Sequence, residues 1–206
     1  MKFLKLLFPF FLICVIGCNS STNNTKKDAV VKKVEINSEI VIHKDSLVLN
    51  GNEGNWYYKN ALFNGFAVKY HANDTLKEKT GFYNGKKEGV YKVWFKSGVL
   101  KMASHYQQNV LVGSYKAWWQ NGTLAFDANY KKGKLEGVER QWYPNGTMSK
   151  ERHLLKGNEN GLQKAWLQNG KIYVNYEAKN GRTFGMKRAN LCYQLKNEKV
   201  EEKKDI

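Results

Sequence analysis

Residues 113–136 read GSYKAWWQNGTLAFDANYKKGKLE, and the lengths on either side repeat the same grammar. Glycines stand at 65, 89, 113, 137, 161 and 185, a ruler of 24 residues without a slip. The fifth residue after each of the first five is Tyr70, Trp94, Trp118, Trp142 and Trp166. The eleventh is Leu76, Leu100, Leu124, Met148 and Ile172, and the twentieth is Gly85, Asn109, Gly133, Gly157 and Gly181. Self-similarity at a period of this size marks a repeat architecture. Each unit holds two runs rich in aromatic and β-favouring residues, divided by turn residues. The fold class is therefore all-β: a single-layer, twisted antiparallel meander of stacked β-hairpins, each touching only its neighbours.

The turns can be read further. Tyr143-Pro144-Asn145-Gly146-Thr147 suits a type I turn closed by a glycine bulge, because Pro144 has no N–H for a two-residue turn. In that register the fifth residue faces the eleventh, Trp118 opposite Leu124. Simple alternation then puts Trp118, Leu124, Phe126, Ala128 and Tyr130 on one face, leaving Tyr91, Val93, Phe95 and Lys101 on the other. A one-residue slip would exchange the two. Asn109, standing where other units have glycine, implies a left-handed backbone at the twentieth residue. A single layer has no second sheet to hide its aromatics, and its ends need blunting. Leu47 to Tyr58 reads as a degenerate first hairpin, and Met186 to Leu195 as a last strand.

The start of the chain carries an address. Lys2 and Lys5 precede an apolar run through Phe8, Phe10, Phe11, Leu12 and Ile13, too short to span a bilayer. It ends Val15-Ile16-Gly17-Cys18, which resembles the lipobox of bacterial lipoproteins. That resemblance implies a signal peptide over 1–17 and lipidation of Cys18; the alternatives are an ordinary signal peptide or an anchoring helix. Residues 18–45 read as a tether, with a short alternation around Val34, Ile36, Ile40 and Ile42. The repeat domain covers 46–195 and a charged, frayed tail 196–206. Cys14, Cys18 and Cys192 form no disulfide framework and no CxxC metal pattern. Cys192 reads as a small buried residue of the closing strand. Acyl chains contribute about 0.8 kcal/mol per buried methylene, so several would hold the protein at a membrane.

The pattern Gly-x-x-Lys-x-Trp-aromatic-x-Asn-Gly-x-Leu, followed by Tyr-Lys-x-Gly-Lys-x-x-Gly, resembles the MORN repeat (membrane occupation and recognition nexus) in its bacterial variant form, over about residues 55 to 185. The resemblance implies stacked hairpins and a scaffold or binding role. Bacterial proteins with this variant are often classed as antitoxin-like, which implies neutralisation of a toxin partner as an alternative. His71-Ala72-Asn73-Asp74 and Leu154-Leu155 depart from the pattern.

Formal net charge is +16, and residues 46–195 hold 23 basic and 10 acidic residues. The basicity thus belongs to the sheet. The third residue of successive units is Lys92, Lys116, Arg140, Lys164 and Arg188, and two residues beyond the first four stand Trp94, Trp118, Trp142 and Trp166. Equivalent residues lie two strands apart, ~9.6 Å. The first four of these cations and the four tryptophans form the candidate binding surface, a cationic ladder beside an aromatic one. It suits a protein or an anionic envelope macromolecule, an acidic glycan included. The simpler reading is packing, with basic stems covering tryptophan rings. An exported lipoprotein rarely meets nucleic acid, which disfavours that partner.

No chemistry converges. His43, His71, His105 and His153 are scattered, the last two ~19 Å apart by strand spacing, so no metal site is expected. Asp127 and Glu151 share the fourteenth place at a nominal ~10 Å, near the limit for an inverting glycosidase pair, but basic residues surround the second. An ion-paired surface is the better account. Asn121-Gly-Thr123 and Asn145-Gly-Thr147 follow turn grammar. No cofactor and no enzymatic activity are expected; the function read here is a lipid-anchored scaffold at the bacterial cell envelope, at the outer membrane or periplasmic face, with the cell surface as a further alternative.

Overall fold

The computed structural model describes residues 34–186, 193–196 and 199–202. The signal peptide expected over residues 1–17, Cys18, Arg188 and Cys192 fall outside the described residues. The body is one long sheet. Its strands β5 (Gly65–Tyr70), β6 (Leu76–Tyr83), β7 (Lys86–Trp94), β8 (Leu100–Gln107), β9 (Val110–Trp118) and β10 (Leu124–Lys131) follow each other in sequence order. β12 (Gly137–Trp142), β13 (Met148–Leu155), β14 (Asn158–Trp166), β15 (Ile172–Lys179) and β16 (Arg182–Met186) continue it, with the short β11 (Lys134–Leu135) pairing on β10. All these pairings are antiparallel. The meander of stacked hairpins is what the 24-residue ruler dictates. We number its units first to fifth from Gly65, Gly89, Gly113, Gly137 and Gly161.

Both turn types follow the sequence grammar. In the fourth unit the N–H of Gly146 donates to the Tyr143 carbonyl (2.9 Å) and that of Tyr143 to the Thr147 carbonyl (2.8 Å), with Gly146 at φ 84°. This is a type I turn closed by a glycine bulge, and it sets Trp118 opposite Leu124, Trp94 opposite Leu100 and Trp166 opposite Ile172. The other turn has two residues with positive φ, such as Gln108 (49°) and Asn109 (68°), which makes the left-handed backbone at the twentieth residue real. The N–H of that residue also reaches the previous unit. Gly85 donates to Phe63, Asn109 to Lys87, Gly133 to Leu111 and Gly157 to Leu135, at 2.8–3.0 Å. One border of the sheet is therefore laced by backbone hydrogen bonds.

The division of faces differs from simple alternation. Directly after each first turn the register shifts by one residue: Trp118 faces Leu124, but Ala117 faces Phe126. The same shift follows Tyr70, Trp94, Trp142 and Trp166. The extra residue (Lys77, Lys101, Ala125, Ser149, Tyr173) forms a bulge, which flips the rest of the strand and raises local twist. Phe126, Ala128 and Tyr130 thus join Tyr115 and Ala117, and part from Trp118. The rings pack accordingly, Tyr115 on Phe126 with centroids 5.4 Å apart and on Tyr130 at 5.8 Å. Ala67, Thr80, Phe82, Ser104, Ala128, Glu139, Leu154, Gln163, Ala165 and Ala178 are all buried, and all lie on this inner face.

The first end of the sheet is not a bare edge. β1 (Val41–His43), drawn from the alternation before residue 45, pairs in parallel with β5. The expected first hairpin forms, but in a separate three-stranded sheet of β2 (Val48–Asn50), β3 (Asn55–Tyr58) and β4 (Ala61–Leu62). That small sheet packs against the start of the meander. Phe63 lies 5.6 Å from Phe82 and Trp56 5.9 Å from it, centroid to centroid, around a core of Leu47, Phe63, Ala67 and Phe82. Phe82 is 0 % exposed, a burial worth about 2–3 kcal/mol. At the other end the last strand of the long sheet is β16. Beyond it β17 (Tyr193–Lys196) pairs with β18 (Lys199–Glu202), so the tail contains a strand rather than only frayed charge.

Candidate functional site

The register builds the outer face into transverse rows. The third residue of one unit pairs with the fourteenth of the same unit, and that with the third of the next. One row therefore runs Lys79, Lys92, Ala103, Lys116, Asp127, Arg140, Glu151, Lys164 and Asn175. The four candidate cations are all present on it, half-buried, with Trp94, Trp118, Trp142 and Trp166 half-buried two residues along.

The acids in that row change its electrostatics. Asp127 faces both Lys116 and Arg140, and Glu151 faces both Arg140 and Lys164. Lys116 Nζ lies 3.4 Å from Asp127 and Arg140 Nε donates to Glu151 at 2.9 Å. The ladder therefore alternates in sign over its second half. These exposed pairs contribute about 0–1 kcal/mol each, and Asp127 and Glu151 are ion-paired surface groups. The first half is different. Lys79 and Lys92 stand directly opposite each other, an arrangement that repels. Lys79 Nζ sits 4.3 Å from the Phe66 ring centroid, which partly offsets this. Among the described residues no ladder cation lies over a tryptophan ring; the rings engaged by ammonium groups are Trp56, Tyr58, Phe66, Tyr91, Phe95 and Tyr106.

A second lacing binds the units along the border of the first turns. The sixth residue of a unit reaches the carbonyl of the next unit's fifth residue. His71 Nε2 meets the Trp94 carbonyl at 3.0 Å, Trp119 Nε1–H donates to Trp142 at 2.9 Å and the Tyr143 hydroxyl to Trp166 at 2.9 Å. Asn73 and Asn121, the eighth residues, donate similarly to Lys96 (3.3 Å) and Pro144 (2.8 Å). The aromatic column thus holds its neighbours through main-chain carbonyls, a role no residue spacing announces.

The inner face carries one buried ionic group. Glu139 is 1 % exposed. It accepts from Arg152 at 2.5 and 3.1 Å and from Gln141 Nε2 at 2.8 Å. Those bonds hold the Arg152 guanidinium above its ordinary pKa. Tyr91 is pushed up to about 12 by burial. Tyr176 also reaches about 12, through burial and then its hydroxyl's bond to Glu159 at 2.8 Å. No group of three His, Cys, Asp or Glu side chains that could hold a metal ion occurs among the described residues.

Units outside the best-patterned centre fold like those within it. Tyr70 faces Leu76 in the first unit as Trp142 faces Met148 in the fourth, despite the divergent His71-Ala72-Asn73-Asp74 turn. No curated protein matches the chain. Residues 87–108, 111–132 and 135–155 each match the MORN repeat variant, so the second, third and fourth units are similar to the repeats of that family.

Proposed function

We propose that this protein is a non-enzymatic scaffold, held at the bacterial cell envelope by acyl chains on Cys18, that binds another protein through the outer face of its repeat sheet. MORN repeats suggest a repeat-based binding scaffold. What supports this reading here is the register, which lines up equivalent side chains in rows and leaves Lys79 and Lys92 face to face with no acid beside them in the row. Two repelling cations kept together on an exposed face suit an acidic partner surface. The binding edge is then the uncompensated end of the ladder at Lys92 and Trp94, continued by Trp118 and by Lys116, whose pairing with Asp127 opens the charge-balanced half.

The anchor is tested by palmitate labelling and globomycin-sensitive processing of the intact chain, both lost in Cys18→Ser. Crosslinking in intact cells then identifies the partner. Lys92→Glu with Lys116→Glu abolishes the crosslink and leaves the circular dichroism unchanged. A partner that crosslinks equally to this variant refutes the proposed face. A soluble cytosolic chain, crosslinked to a toxic enzyme, would replace the envelope scaffold with the antitoxin-like alternative.

A further inference from the structure

The side-chain lacing along the border of the first turns is interrupted at one joint. Between the first and second units it is made by His71 and Asn73, and between the third and fourth by Trp119 and Asn121. Between the fourth and fifth Tyr143 makes it. Between the second and third units the corresponding residues are Phe95 and Ser97. Phe95 has no donor, and among the described residues the Trp118 carbonyl receives no side-chain hydrogen bond. At that same joint a groove of about 660 Å³ opens, lined by Phe95, Met102, Tyr115, Ala117, Trp118 and Trp119. Its one charged lining residue is Lys101, whose Nζ lies 5.4 Å from the Phe95 ring centroid.

We propose that this groove is a docking site for a partner protein segment that supplies the missing tie in trans: an indole or phenol ring beside carboxylates. The flanking joints show what fits. At each, a ring with a polar tip lies over the border and donates to a fifth-residue carbonyl, and the Trp118 carbonyl occupies the same place with its donor wanting. A carbonyl has two acceptor sites, so it can take a partner's donor even beside a main-chain bond. The apolar lining buries the ring and Lys101 selects acidic flanks. A purely apolar anchor would leave the carbonyl unanswered, and a cationic segment would meet Lys101 in a basic sheet. This deepens the scaffold reading by naming a partner class, and it uses the inner-face joint, not the outer-row lysines.

The probe is a short dye-labelled synthetic peptide, one tryptophan flanked by glycines and then by aspartate and glutamate, titrated by anisotropy against the full-length protein in detergent. It binds saturably, and exchanging its tryptophan for phenylalanine weakens binding about fivefold to tenfold. Replacing its acids with lysine removes binding. In Phe95→Tyr the hydroxyl ties Trp118 in cis, raising Tm and weakening the peptide at least tenfold. Ala125→Tyr fills the groove from a place where the fifth unit already carries Tyr173, so the backbone tolerates it, and it has the same effect on binding. Lys92→Glu with Lys116→Glu changes peptide affinity less than twofold while abolishing the outer-face crosslink, which separates failure of this site from failure of the scaffold reading. No saturable binding, equal binding of the phenylalanine peptide, undiminished binding by both groove-filling variants, or displacement of the peptide by a neutral polysaccharide each overturns the proposal.

Discussion

Arg152→Met puts the inner face under the sharpest test. Glu139 is all but inaccessible, and Arg152, directly across the strand pair, closes a two-point bond on it at 2.5 and 3.1 Å. Methionine keeps the stem and removes every donor, so the carboxylate is left with the Gln141 amide alone. Stranding a buried charge costs about 3–5 kcal/mol. Because the Arg152 side chain is 32 % exposed, water and salt partly replace the lost partner, and the lower end, about 3 kcal/mol, is the expected loss. Glu139→Leu alone costs less, since the arginine can turn to solvent. The double variant Glu139→Leu with Arg152→Met should lie within about 1 kcal/mol of the native protein, or above it, because two desolvation penalties vanish together. Urea unfolding followed by tryptophan fluorescence measures the cycle. Hydrogen exchange locates the loss, since stability in such arrays is local to a unit and its neighbours. A cost below about 1 kcal/mol for Arg152→Met would refute the reasoning, as would a double variant whose loss equals the sum of the singles.

Three further outcomes can be measured. Asn109→Gly relieves a left-handed backbone at φ 68° but removes a bond from the Lys87 N–H (2.7 Å) and another to the Gly54 carbonyl (2.8 Å); thermal unfolding should show a net loss of about 1–2 kcal/mol. Gly113→Ala meets nothing within 4 Å and costs about 1 kcal/mol in backbone strain, whereas Gly65→Ala places a Cβ 2.6 Å from the Ile40 carbonyl and costs about 3 kcal/mol, with exchange protection lost first at Phe66. Ultraviolet phenolate titration should find Tyr91 and Tyr176 ionising near pH 12. Their folded values lie above the ordinary 10, so the folded state holds more protons between the two; stability is intact below pH 10 and falls as pH rises towards about 12.

The meander, both turn types and the pairing of the fifth with the eleventh residue are legible because glycine and asparagine must stand where φ is positive. The bulge is not, and the reason is chemical. Its extra residue is Lys77, Lys101, Ala125, Ser149 or Tyr173, side chains with nothing in common, because a bulge outside a left-handed conformation asks for no particular residue. Alternation without the bulge puts Phe126 on the face opposite Tyr115 and gives no sign of the buried row of Ser104, Glu139 and Gln163. Asn109 is half legible: its φ follows from the glycine series, but its tie to Lys87 needs the pairing of neighbouring units and its tie to Gly54 the small sheet some fifty residues upstream. The candidate cations were found on one face as expected. The acids between them show in no single column, since the third and fourteenth residues share a row only once strands pair.

That row also bears on what kind of surface this is. A ladder of five like charges at two-strand spacing would impose one long acidic partner. Interleaving Asp127 and Glu151 splits it, so the second half is self-neutralised and the uncompensated charge gathers at Lys79 and Lys92. The break in the lacing, at Phe95 and Ser97, falls beside that same end, in the second and third units. The first half of the sheet therefore holds repulsion on one face and an unfilled groove on the other, while the second half satisfies itself with Arg140–Glu151 outside and Arg152–Glu139 inside. In an array whose units share one fold, such asymmetry sets the joint proposed above as a docking site apart from joints that tie themselves. If so, filling the groove by Phe95→Tyr should stabilise the protein, while Tyr143→Phe, which cuts an existing tie, should destabilise it by about 1 kcal/mol. Opposite signs for adding and removing one hydroxyl are what structurally equivalent joints require, so a Phe95→Tyr variant no more stable than the native protein would show that the Trp118 carbonyl has no place for the tie and would refute the open joint.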